Sequence, residues 1–416
     1  ALVMLPAGSA ANREAAGAAA AYPVRLHYFP AREPELTSKY VGWLAMLPNN
    51  AAKTAGIQAG TLAAQGIIGM RTNDGLLAPS TYTVLPPGPG VWQPTMPAPP
   101  MDPWMAEMVP FLRANPEQYR PAPPPALDDP AYVADFEEVR DWGGAVSALR
   151  TPAQTQVAQF WTTNMVIQTN AAYRQIADNR ALNLLESARL MAMGNMVATD
   201  SLIATFDAKY FYSFWRPVTA IQHTNPDGSY SAEVLNTWMP VVMTPNFPEY
   251  VAGHGSFIAA QSEVYTRFFN TSQIEVDLGS LVTKTTRHYA TAADLRTEII
   301  DARTWGGLHF RSSSELAVTM GQQLVTDALT GYFAPAPDRS THATNSGGMR
   351  KFVDTLPGLD AAGANNLGQF IPVAVADTTT YPGSDYYEIA VVQYEEQMHS
   401  DLPPTILRGY VQLSTS

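Results

Sequence analysis

The 416-residue chain contains no cysteine. Disulfides, thiolate metal sites and cysteine nucleophiles are therefore excluded together. Charge is also scarce: Asp, Glu, Lys and Arg make up 15% of the chain, against about a quarter in typical soluble proteins. Basic residues are the rarer sign, 25 against 37 acidic ones, and the formal net charge is −12. That balance argues against nucleic acid and anionic membrane as bulk partners, while leaving room for a small anion in a locally basic pocket. No apolar run reaches the roughly 18 residues that a membrane span needs. No signal peptide is recognisable, and the chain begins at Ala1 rather than Met, which fits a processed or trimmed product. A secreted or periplasmic location is the expectation.

Proline, by contrast, is abundant, with 34 residues. An Ala-rich run from Asn12 to Ala21 and the stretch 37–71 read as helices, the latter ending near the turn Asn73-Asp74-Gly75. Residues 76–130 form a proline-rich connector, with one short helix expected around Pro103 to Asn115. Connectors of this length are often functional or wrap the surface. Thr151-Pro152 is an N-cap followed by proline at the first helical position. Helical patterns then cover 152–172 and 174–205, and further on 254–269, 292–304 and 308–331. Leu182, Leu185, Ala188, Ala192 and Met196 recur at helical spacing and read as core. The predicted fold is an all-α helical bundle over residues 1–333. Residues 334–348 read as a linker, and 349–416 as an extended tail in which Ile371 to Ala376 and Tyr386 to Tyr394 look like strands. The tail is too short to bury a sheet of its own.

Three segments place basic or imidazole groups at spacings that carry chemistry. In Lys209-Tyr-Phe-Tyr-Ser-Phe-Trp-Arg216-Pro217, seven helical residues turn the chain by about 700°, so Lys209 and Arg216 would project from one helix face, two turns apart. Two cations in an aromatic run are costly unless an anion meets them, or unless both snorkel to the surface. In Phe247-Pro248-Glu249-Tyr250-Val251-Ala252-Gly253-His254, the proline delays helix formation. His254 then falls at a helix N-terminus, where free N–H groups favour an anion. A histidine satisfied in a core turn would look similar. In Arg303-Thr-Trp-Gly306-Gly307-Leu308-His309, an unbroken helix would turn the two ends apart, whereas a break at the glycines lets them converge.

The three motifs, in this order, resemble those of the vanadium haloperoxidases within the phosphatidic-acid-phosphatase type 2 superfamily. The family pattern is Lys, six residues, Arg-Pro; then Pro-Ser-Gly-His; then Ser-Arg, five residues, His. The resemblance covers roughly residues 1–333. Phe-Pro-Glu-Tyr before His254 and His-Phe-Arg from His309 resemble the bacterial haloperoxidase-like branch. It implies vanadate as cofactor, or phosphate as its mimic, with Lys209, Arg216, Arg303 and the Gly253 N–H holding oxygens. It further implies His309 as the ligand of vanadium and His254 as the general acid–base, with Phe206 and Phe247 on the halide side. The implied activity is halide oxidation by hydrogen peroxide. An acid phosphatase acting on a small phosphoester through a phosphohistidine at His309 would use the same pocket. A non-catalytic assembly module is the third reading. Departures from the pattern are Ala252 for the usual serine, Ala302 before the arginine, and Ser313 where many relatives carry Asp after the ligand histidine.

The tail carries a second resemblance. Phe352 to Pro357, Asn365 to Gln369, and Met398 to Gln412 resemble the leading segment of bacterial multicopper oxidases. No His-x-His motif accompanies it, so no copper site is implied, and His399 reads as structural. The expectation is an oligomer, or association with a β-rich oxidase domain through residues 349–416.

Overall fold

A computed structural model describes residues 11–112, 115–225, 227–333, 353–402 and 404–413. Among these, residues 11–333 and 353–413 fall into two units.

The first unit is helical, as the sequence predicts. Its elements are α1 (Arg13–Tyr28), α2 (Glu33–Ala45), α3 (Ala51–Met70), α4 (Pro130–Gly143), α5 (Pro152–Phe160), α6 (Met165–Asn179), α7 (Leu184–Tyr212), α8 (Pro217–His223), α9 (Gly253–Phe269), α10 (Ala292–Trp305) and α11 (Arg311–Gly331). Thr151 opens α5 with a reciprocal capping box to Gln154. The helices expected over 152–172 and 174–205 have different bounds. Asn164 caps a new helix through the N–H groups of Val166 and Ile167, and Asn183 forms a capping box with Glu186 that starts α7. Each cap competes with helix continuation. The expected helix around 103–115 is instead a short 3-10 turn at Pro103–Glu107, followed by another at Pro116–Tyr119.

A hairpin of β1 (Gln273–Gly279) and β2 (Thr286–Thr291) interrupts the bundle and was not anticipated. Ile274, Val276 and Leu278 alternate inward along β1, a period-two pattern of only three apolar residues. The bundle is built around α9, which packs on α7, α10 and α11 and is buried at every position from Gly255 to Tyr265. Gly321 allows α11 to approach closely: a Cβ there would lie 2.3 Å from the Ser256 carbonyl oxygen.

In the second unit, β3 (Ile389–Glu396) and β4 (Thr405–Gln412) form an antiparallel hairpin. Strand β3 overlaps the stretch expected at Tyr386 to Tyr394. Ile371 to Ala376 forms no strand; only an isolated bridge joins Ile371 to Leu359. Those residues lack a partner strand of matching length, which β propensity alone does not supply.

Candidate functional site

The end of α7 brings in the first cation. Lys209 lies in its last turn, fully buried, and its ammonium donates to the carbonyls of Pro248 at 3.0 Å and Glu249 at 2.8 Å. Arg216 does not share this helix face. The helix stops at Ser213, whose left-handed conformation (φ 46°) turns the chain back, and Arg216 is extended at the start of α8. The turn is held from outside: Ser213 accepts from the Trp92 N–H through its carbonyl, and its hydroxyl meets Tyr82. Buried Arg216 donates from Nε to the Phe247 carbonyl and from Nη1 to the Leu308 carbonyl, both at 2.9 Å.

His254 stands at the second position of α9, next to Gly253. Ala252 occupies the N-cap and has no side-chain oxygen to offer, so the N–H groups of Gly253, His254 and Gly255 have no intrahelical partner. The Ser256 hydroxyl does not replace the missing one; it is engaged with Thr205 at 2.6 Å.

Arg303 lies in the last turn of α10. Gly306 ends that helix and Gly307 takes φ +73°, so His309 sits in the break before α11 rather than on a continuation of α10. Glycine is required at 307: an added Cβ would meet the Gly143 carbonyl oxygen at 2.5 Å.

These turns bring Lys209, Arg216, His254, Arg303 and His309 within mutual electrostatic reach. Phe247 packs against the cations, its ring centroid 5.0 Å from Lys209 Nζ and 4.8 Å from Arg216 Cζ. Phe206 lies 5.2 Å from Phe247, centroid to centroid. Lys209, Arg216, Arg303 and His309 are sealed from solvent, whereas Phe247, Gly253 and His254 are partly exposed and mark the open side.

One residue of the cluster had been assigned no role from the sequence. Glu249, wholly buried, accepts from His309 Nδ1 at 2.7 Å and from the Phe310 N–H at 3.2 Å. Its only signal was an acid in an otherwise apolar tetrapeptide, five residues before His254.

Burial pushes the Lys209 ammonium well below its usual range, and the neighbouring Arg216 adds to the shift. Burial likewise lowers Arg216 to about 10 and Arg303 to about 9, values that leave both charged at neutral pH. The two histidines are held well below their ordinary values by burial and then by the surrounding cations. Burial raises Glu249 to about 7 against the opposing pull of Lys209 and Arg216. Three basic side chains thus face one acidic one. Arg216 Nη2 and Arg303 Nε are buried without a hydrogen-bond partner. Among the described residues, no group of three or more His, Asp or Glu is placed to hold a metal cation. Forked donors, a point charge and a helix N-terminus together form a donor set that can receive an oxyanion.

Comparison with known proteins agrees with the motifs. The family described as the VCPO second helical-bundle domain matches residues 189–333. Vanadium chloroperoxidase from Curvularia inaequalis is 24% identical, over 47% of this chain and 43% of its own length, so the match spans less than half of that relative. A bacterial vanadium-dependent iodoperoxidase shares the fold with TM-score 0.64 and 24% identity, covering 80% of this chain and 82% of its own. A holo-type bacterial vanadium-dependent chloroperoxidase follows at TM-score 0.61 and 19% identity, covering 76% and 81%. The chain is similar to these proteins over the shares given, and the family match at residues 189–333 contains all three motifs, which supports the superfamily resemblance read from them.

Proposed function

We propose that the pocket binds vanadate and that the chain acts as a vanadium-dependent haloperoxidase, oxidising halide with hydrogen peroxide. The observation that carries this reading is the sealed cluster itself. Isolated buried cations are expensive, and here two guanidinium N–H donors and a helix N-terminus point to no protein acceptor. A tetrahedral oxyanion fits such a donor set.

In this reading Lys209, Arg216, Arg303 and the Gly253 N–H hold the oxygens, and His309 is the ligand through Nε2. Bound vanadate would supply Lewis-acid activation of peroxide toward halide. His254 is the proton carrier: burial and the cations hold it neutral in the absence of an anion, and the negative charge of a bound oxyanion would favour its protonation. Phe206 and Phe247 form an apolar wall on the halide side. Ala252 leaves out one hydroxyl donor; a hydrogen bond to a charged group is worth roughly 1.5–3 kcal/mol, so vanadate affinity should be tenfold or more below that of a serine variant.

An acid phosphatase reading shares the pocket, with His309 attacking phosphorus. A vanadate titration with a halogenation assay, run beside a phosphatase assay, separates the two. Peroxide- and vanadate-dependent halogenation, lost in His309→Ala together with vanadate binding, is the expected result. His254→Ala should keep binding and lose turnover. Phosphoester hydrolysis without halogenation, or no binding of either anion, would overturn the proposal, the latter in favour of a non-catalytic assembly module.

A further inference from the structure

We propose that Glu249 is the positioning residue of this site: it fixes His309 with the proton on Nδ1 and the Nε2 lone pair turned toward the cationic cluster. The inference rests on the reading of His309 as the oxyanion's ligand.

The proton's place follows from both ends of the ring. At one end, Nδ1 lies 2.7 Å from a Glu249 carboxylate oxygen, Oε1. At the other, Nε2 lies 3.1 Å from Arg216 Nη1. A guanidinium has donors only, so Nε2 must present its lone pair, and the neutral ring carries its proton on Nδ1. The opposite tautomer would set a donor against a donor at Arg216 and an acceptor against an acceptor at Glu249. The same Oε1 also takes the Phe310 N–H at 3.2 Å. One oxygen therefore grips both the ring and the peptide that follows it, in a segment freed from helix by Gly306 and Gly307. Glu249 is itself anchored: its own N–H donates to the Phe214 carbonyl at 2.9 Å, and its carbonyl accepts from Lys209. The carboxylate is thus delivered from the segment before α9 rather than from α11, where Ser313 offers only a hydroxyl near the Glu249 carboxyl.

A rival account makes Glu249 a mere counter-charge to Lys209, Arg216 and Arg303. The two accounts predict opposite signs. Glu249→Gln removes the charge but keeps an acceptor, and the Phe310 N–H orients the amide oxygen toward the ring. Glu249→Ala removes both. For a positioning residue, vanadate affinity of the full chain, titrated by vanadium-51 NMR, should fall about ten- to a hundredfold in Glu249→Ala and stay near the original in Glu249→Gln. For a counter-charge, both variants would bind vanadate more tightly, which would overturn the proposal. Nitrogen-15 spectra of histidine-labelled protein without added oxyanion give a second readout. The Nδ1–H of His309 should keep its hydrogen-bonded signature in Glu249→Gln and lose it in Glu249→Ala, where Arg216 still faces Nε2 but nothing accepts from Nδ1. If it persists unchanged in Glu249→Ala, the proposal is wrong. Should Glu249→Ala fail to fold, Glu249→Asp keeps the charge while withdrawing the oxygen. Loss of the signature there supports positioning, and its retention with unchanged affinity sinks it. If the unaltered chain binds neither vanadate nor phosphate, the proposed function fails, and the nitrogen-15 signature alone still decides what Glu249 does.

Discussion

Two long stretches of this chain have little helix: the proline-rich connector 76–130 and the tail from residue 353. They are held in different ways. The connector is fastened by buried polar side chains of the bundle. Asp200 on α7 accepts the N–H groups of Phe111 and Leu112 at 2.7 and 2.9 Å. Asp207, two turns on, grips Arg120 with two bonds of 2.8 Å. Asn246 spans the Thr95 N–H and the carbonyls of Ala98 and Pro99, and Tyr250 reaches the Ala122 carbonyl. The described tail is bonded internally, by the β3–β4 ladder, Asp354 with Ser400 and Asn366, and Val375 with Gln412. Its strands leave Val391, Ile406 and Tyr410 exposed. Extended chain becomes architecture when the core supplies polar partners that cannot turn to water instead. The connector also touches the very segments that carry Arg216 and Glu249, so its fastening shapes the pocket.

Cutting the most buried fastening should have the largest effect. Asp200→Ala leaves two backbone N–H groups without an acceptor and should lower unfolding free energy by about 2–5 kcal/mol in urea titrations. The same residue sets a pH dependence. Burial raises the Asp200 carboxyl to about 6 against the pull of its two N–H donors, so the folded state binds its proton more readily than the unfolded state does. Its contribution to stability is therefore greatest below about pH 4 and declines as pH rises to about 6. Asp200→Asn should flatten the stability profile across that window. Arg120→Ala cuts a fastening nearer the surface, where the two partners are 18% and 12% exposed, and should cost about 1–2 kcal/mol. The smallest effect on the helical unit should come from deleting residues 349–416, with a change in its melting equivalent to less than about 0.5 kcal/mol. A lone two-stranded hairpin is marginal in water. The deletion should therefore act on assembly, with strand addition to a second chain lost, as read by light scattering. An unchanged oligomeric state, or a destabilised helical unit, would erase the contrast between the two regions.

The helical bundle was legible because apolar residues recur at helical spacing and Thr151 is an explicit cap. The face was misread on α7: Leu185 and Ala188, expected in the core, are exposed, and Leu190, Met193, Val197 and Ala198 are buried instead. The misplaced boundaries trace to Asn164 and Asn183, caps hidden inside patterns that look continuous. The hairpin at 273–291 escaped because three alternating residues are too few to outweigh their surroundings. In the site, Gly306 and Gly307 announce the break that frees His309. The turn bringing Arg216 beside Lys209 was not readable, because Ser213 is held in the left-handed conformation by Tyr82 and Trp92, more than a hundred residues away. Glu249 stayed hidden for a related reason: its partner lies sixty positions downstream, and no local spacing encodes that pairing.

Arg216 meets the carbonyls of Phe247 and Leu308, and so ties three chain segments together with the same charge that faces the pocket. Under the proposed function, folding and anion capture would be one linked equilibrium. An oxyanion that binds only the folded chain acts as a stabiliser by mass action, adding about 2.7 kcal/mol at a hundredfold excess over its dissociation constant. The buffer in which the protein is purified then becomes a thermodynamic variable, and phosphate in particular should raise the melting temperature while competing with vanadate for the same donors.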